Sequence, residues 1–169
     1  MIKLFLSPAG RMGRRNFWIG VAGFILFCTG AYYLLDAMTN SMSYFWIFLI
    51  VLVLLFQMLY SVCGKRLHDI GYSYWPLTGM IVLIFVILIV VMLFNGGAEY
   101  FSEFSNFQRK EDIDPVVREA IIKEYQMKMK PAETIAKYLI LSLWAAFTLW
   151  LGVAKPQADA NKYGPVISG

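Results

Sequence analysis

Between residues 74 and 94 the chain carries no charge, and from 81 to 93 every position is apolar. A helix built from such residues has no face left for water and belongs in lipid. Three more uncharged blocks, 17–35, 44–63 and 138–154, repeat the pattern. At a rise of about 1.5 Å per residue, a hydrocarbon core about 30 Å thick needs roughly 20 helical residues, with about 17 as the lower limit. All four blocks reach that range. They predict an all-α integral membrane protein with four transmembrane helices over about 17–35, 44–63, 74–94 and 138–154.

Composition closes the other routes. Apolar residues make up 59% of the 169 and charged residues 15%, against about 45–50% and about 25% in ordinary globular domains. A soluble fold of this size has too little interior for that surplus. Soluble enzymes, nucleic-acid binders, disordered chains and disulfide scaffolds fit poorly. Cys28 and Cys63 belong to different helices and sit about 15 Å apart along the membrane normal at helical rise, beyond disulfide reach. Neither has a metal-ligand spacing, and no cofactor is expected. The first block exceeds the usual length of a signal-peptide core and no small-residue cleavage site follows it, so it is expected to remain in the mature protein.

Lysine and arginine set the expected orientation. Lys3, Arg11, Arg14 and Arg15 precede the first block without an acid; residues 36–43 hold no base; residues 64–73 hold Lys65 and Arg66. The positive-inside rule then puts both termini and 64–73 in the cytoplasm. Residues 95–137 form an extracytoplasmic insertion whose seven bases are matched by eight acids. Aromatics gather at the block ends, with Phe17, Trp18, Tyr60, Tyr72, Tyr74 and Trp75 expected at the inner interface and Tyr32, Tyr33, Tyr44, Trp46 and Tyr138 at the outer one.

No ionisable residue falls inside a block, which disfavours an ion-coupled transporter or proton pump. Gln57 is the one strongly polar side chain within a span. An interhelical hydrogen bond to Thr29, Ser142 or Thr148 is the expectation for it. Gly20, Gly23 and Gly30 in the first block, and Ser142, Ala146, Thr148 and Gly152 in the fourth, mark close helix approaches. The long third connection is expected to be irregular over 95–112. Asp114-Pro115 then opens a short amphipathic helix carrying Val117, Ala120, Ile121 and Tyr125, which Pro131 stops or kinks. Such a helix lies on the membrane or docks a membrane or periplasmic protein partner.

Three polar motifs stand two spans apart, so all fall on one side of the membrane: residues 10–18, 65–75 and 161–165. In a helical bundle the ends on one side are neighbours, and the motifs are expected to meet. With them the chain resembles the bacterial inner-membrane family catalogued as domain of unknown function 805. Gly10, Arg11, Arg14, Phe17 and Trp18 match that family's first segment. Lys65, Arg66, Leu67, His68, Asp69, Gly71, Ser73 and Trp75 match its central one, and 161–165 its terminal N-R-Y-G-P. Lys65 and Lys162 replace usual arginines, Tyr72 and Pro76 stand where arginine and tryptophan are common, and the outer insertion is longer than usual. The resemblance implies a membrane location and supplies no activity.

The expected site is therefore a cytoplasmic cluster of Arg11, Arg14, Trp18, Lys65, Arg66, His68, Asp69, Asn161 and Tyr163. Arg11, Arg14 and Arg15 share one face if helical. Asp69 is expected to pair with Arg11 or Arg14, with Arg66 as the local competitor at i, i+3. His68 and Asp69 are adjacent, point in different directions and do not make an acid–base dyad. The reading is a non-enzymatic membrane protein whose cluster binds an anionic lipid headgroup, a phosphate ligand or a protein partner. The alternative is a channel or carrier for a small solute with the cluster as inner gate.

Overall fold

A computed structural model describes residues 5–105 and 114–165. Lys3 and the charged residues between 106 and 113, which enter the charge comparison, lie outside the described residues, as does the end of the stretch expected to be irregular. The long elements are α1 (Arg14–Ala37), α2 (Tyr44–Asp69), α3 (Trp75–Met92), the short α4 (Ala98–Ser105) and α5 (Pro115–Val153). A single wide turn of π-helix, Leu93–Gly97, joins α3 to α4. Among the described residues there is no strand, only an isolated antiparallel bridge between Asn161 and Gly164.

Four helices are long and apolar enough to cross a membrane: α1, α2, Trp75–Asn95 and α5. They fit a multi-pass membrane protein. Large side chains such as Leu26, Ile50, Val53, Phe85 and Ile89 stand exposed along them, a surface that lipid covers at no hydrophobic penalty. The helices outrun the apolar blocks at the charged ends. α1 starts at Arg14, and α2 continues through Lys65 and Arg66 to Asp69, so the first half of the central motif is helical.

Two expectations for the third connection are corrected. The cap is present, with Asp114 Oδ1 accepting from the Val116 amide at 2.8 Å. The helix it opens is not a short separate one, because α5 runs through Pro131 for 39 residues, about 58 Å at helical rise. Proline deletes one N–H and crowds one carbonyl, and the exposed surroundings of that turn leave water to satisfy the freed group. The short amphipathic helix of this connection is instead α4, in a stretch expected to be irregular.

The described residues form two compact units. One comprises the chain up to Thr78 and again from Phe147 onward; the other is Gly79–Ala146. In the second unit α4 lies on the exposed half of α5. Tyr100 and Tyr125 have ring centroids 4.6 Å apart, and Lys128 Nζ bridges Glu99 at 2.6 Å and Glu124 at 3.0 Å. The hydrogen bond from Lys128 holds the Glu99 carboxyl below its ordinary range. These are exposed pairs, each of small energetic weight.

In the first unit α1 packs against α2, with Gly20 facing Val62. At Gly152, near the end of α5, a Cβ would lie 2.2 Å from the Trp18 ring. The small residue is there to seat an indole, rather than to bring two backbones together. Gly152→Ala is therefore expected to destabilise the protein by about 1–3 kcal/mol through overpacking. Thermal unfolding in detergent checks this, and a second change, Trp18→Leu, is expected to recover most of the loss. A Gly152→Ala protein as stable as the parent would sink the assignment.

Candidate functional site

The site is built on the end of α2. That helix stops at Gly71, whose φ of +92° suits glycine alone among common residues. The Gly71 amide donates to the His68 carbonyl and the Tyr72 amide to the Leu67 carbonyl, the paired bonds of a Schellman ending. Asp69, in the last helical turn, is thereby fixed at the rim with its carboxylate turned inward, where only 1% of the residue remains exposed.

Two guanidinium groups hold that carboxylate. Arg11 Nε donates to Asp69 Oδ1 at 3.0 Å, and Arg66 Nη1 donates to Oδ2. The expected partner and its competitor both bind, one to each oxygen. Arg11 is not on α1, which begins three residues later. It stands in the extended segment before the helix, so the shared helical face of Arg11, Arg14 and Arg15 does not form. Arg14 takes a different acceptor, donating to the Val153 and Ala154 carbonyls at 3.0 and 3.2 Å.

The remaining donors of the buried pair end on main-chain carbonyls. Arg11 reaches Asp159 at 2.9 Å, Gln157 at 2.8 Å and Asp69 at 3.4 Å. Arg66 reaches Leu151 at 2.8 Å, Ala154 at 2.6 Å and Met12 at 3.3 Å. The carbonyls at the end of α5 have no acceptor role left inside the helix. Arg66 and Arg14 cap them, and cations suit the negative end of a helix. The tail is tied down in turn, because the Gln157 amide donates to the Asp69 carbonyl at 2.8 Å.

His68 sits on the other side of the same turn. Its Nδ1 donates to the Gly10 carbonyl at 3.1 Å, and its ring stacks on Tyr163 at 3.7 Å with the planes 3° apart. Tyr74 meets it edge-on at 4.5 Å. Asn161 Nδ2 donates to the His68 carbonyl at 2.9 Å. Lys65 is buried on this turn of α2. Lys162 Nζ stands over the Tyr163 ring, 5.1 Å from its centroid.

All three motifs thus contribute to one cluster, in which Arg11, Arg66, His68, Asp69, Asn161 and Tyr163 come together, Arg14 stands at the rim and Lys65 is buried on the same turns of α2. Trp18 is apart, on Gly152. His68 bonds Gly10 and Asp69 bonds two arginines, so the two side chains do not form a dyad. Sequence reasoning missed Gln157, Met12 and Tyr74. Met12 acts through its carbonyl, and Gln157 through its backbone and through its side-chain Oε1, which accepts from Asn161 Nδ2 at 2.9 Å. Tyr74 donates its hydroxyl to the Pro8 carbonyl at 2.9 Å; its places in the 65–75 motif and among the interface aromatics were the hints. Among the described residues no three His, Cys, Asp or Glu side chains are placed to hold a metal ion.

Residues 5–106, more than half of the chain, match the family described as Protein of unknown function (DUF805). The chain belongs to that family. The matched stretch contains the first two motifs in full, with Arg11, Arg66 and Asp69, while the terminal motif that closes over His68 lies beyond it. No curated protein and no solved structure matches the chain.

Removing one member of a buried ion triad leaves the others uncompensated, at a cost of about 3–5 kcal/mol. Asp69→Asn is expected to lose about that much stability. Arg11→Lys keeps the charge but cannot reach four acceptors with one ammonium, and is expected to lose about 1–3 kcal/mol. Unfolding followed by size-exclusion in detergent measures both. A fully stable Asp69→Asn protein would contradict the triad.

Proposed function

We propose that this is a non-enzymatic, multi-pass protein of the bacterial inner membrane, whose exposed basic collar engages anionic lipid headgroups of the cytoplasmic leaflet. The observation that carries the reading is the division of labour among the cations. Arg11 and Arg66 donate all four of their hydrogen bonds each to protein acceptors. They clasp the chain and are not presented to a ligand. Arg14, Arg15, Lys155 and Lys162 remain exposed and form no ion pair among the described residues. Basic side chains at headgroup level attract anionic lipid by about 1 kcal/mol each.

Orientation follows from the short connections. Residues 36–43 hold no base, whereas 64–73 and the segment before α1 are basic, so both termini and 64–73 lie in the cytoplasm and 95–137 outside. Single cysteines at Ser105 and Lys155, in a Cys28→Ala/Cys63→Ala background, test this with a membrane-impermeant thiol reagent on intact cells. Labelling is expected at 105 and not at 155; the reverse pattern would invert the topology.

Native mass spectrometry from discs of mixed zwitterionic lipid and phosphatidylglycerol tests the headgroup reading. The triple change Arg15→Gln, Lys155→Gln, Lys162→Gln, which leaves every cap of α5 in place, is expected to reduce retained phosphatidylglycerol severalfold without altering zwitterionic lipid. Equal retention would leave the cluster a purely internal clasp. Liposomes containing the protein are expected to pass small solutes no faster than empty ones, and protein-dependent flux would favour a channel or carrier instead.

A further inference from the structure

Gln57 does not bond Thr29, Ser142 or Thr148. Its Nε2 donates to the main-chain carbonyl of Leu6 at 2.6 Å, while Thr29 and Ser142 return to carbonyls of their own helices. Four residues on, Ser61 Oγ donates to the Ser7 carbonyl at 2.8 Å. Tyr74, His68 and Arg66 then take the carbonyls of Pro8, Gly10 and Met12 in turn. Gln57, Ser61 and His68 share one face of α2, at the four- and seven-residue spacings that align side chains along a helix. A polar stripe on an apolar helix is matched to the carbonyls of the N-terminal segment, which is helical at Phe5 and Leu6 and irregular from Ser7 to Gly13.

Two independent counts agree on the depth of that segment relative to Arg14 and Arg66. Gln57 lies nine residues before Arg66 on α2, and Gly23 lies nine after Arg14 on α1. Either distance is about 13 Å at helical rise. At Gly23 a Cβ would meet the Phe5 ring at 2.5 Å, so the ring fills the notch that the glycine leaves. With Arg14 and Arg66 at the edge of a hydrocarbon core about 30 Å thick, Phe5 and Leu6 sit most of the way to its middle. Irregular backbone is tolerated there only when protein groups satisfy its polar atoms. The α2 stripe supplies donors for the carbonyls of Leu6, Ser7 and Gly10, and Pro8 has no amide that needs an acceptor.

We propose that the Gln57–Ser61–His68 stripe of α2 is an intramembrane binding site for the chain's own N-terminal segment, so that residues 5–9 re-enter the bilayer as a strap between α1 and α2. The inference is independent of the headgroup reading. It also accounts for the polar residues within this span without a solute path, because the strap occupies the positions from which they would face one.

Spin labels at Leu6→Cys and Ser7→Cys, in the Cys28→Ala/Cys63→Ala protein in lipid discs, read depth directly by power saturation. Both are expected to relax with oxygen and to resist a water-soluble nickel chelate, as a label at the lipid-facing Ile50 does. A label at Lys155→Cys is expected to do the reverse. Nickel access at 6 and 7 equal to that at 155 would overturn the proposal. Hydrogen exchange of the unlabelled protein covers the case in which a label itself expels the strap. Amides within 5–12 are expected to exchange at least tenfold more slowly than unstructured peptide, and Gly23→Leu or Gln57→Leu to abolish that protection. Unstructured rates in the parent protein, or protection unchanged in both variants, would equally overturn it.

Discussion

One carboxylate between two guanidinium groups organises the charged end of the first unit. Asp69 gives one oxygen to Arg11 and the other to Arg66, and both arginines are buried. Such an arrangement is expensive to desolvate and persists only where further hydrogen bonds occupy the remaining donors. Here they do. The pair carries one positive charge in excess, and it faces the carbonyl ends of α2 and α5. Helix C-termini are partially negative, so the surplus charge is distributed over main-chain dipoles instead of requiring a second acid.

That single constraint draws distant parts of the sequence together. Arg11 belongs to the segment before α1, Arg66 and Asp69 to the end of α2, and their carbonyl acceptors to the end of α5 and the tail beyond it. Gly10, with φ of +95°, lets the incoming segment turn so that Arg11 faces Asp69 while the residues before it run back along α2. The tail then crosses the end of α2, bonding Asp69 through Gln157 and covering His68 with Tyr163. Neither terminal segment has the length or periodicity to hold such a path alone. Each is positioned by side chains of α2.

What was legible in the sequence follows from how far each feature depends on local pattern. The four spans were readable because apolar length is a local property, and Asp114-Pro115 because a helix cap is complete within three residues. The meeting of the motifs was readable from parity: two crossings between motifs return the chain to the same side. The continuity of α5 through Pro131 was not, since a proline in an exposed helix is decided by how well the flanking turns hold. The partner of Gln57 was not either. Its acceptor is the main-chain carbonyl of Leu6, and no residue type announces a carbonyl's position. Gly152 looked like a helix-packing residue because spacing cannot distinguish a backbone contact from a seat for Trp18.

The same geometry sorts the basic residues of the motifs by the chemistry each position requires. Arg11 and Arg66 each meet four acceptors spread around a plane, a task for the five fixed N–H donors of guanidinium. A compact ammonium has neither the spread nor the rigidity. Lys162 stands over the face of Tyr163, where the requirement is a positive charge near a ring and either cation serves. The chain has lysine at 162, where the resemblance leads one to expect arginine, and keeps arginine at 11 and 66. At Lys162 the departure falls where the structure asks only for charge, and at Arg11 and Arg66 the agreement falls where it asks for a fork, so at these three positions hydrogen-bond geometry constrains the residue more than charge does.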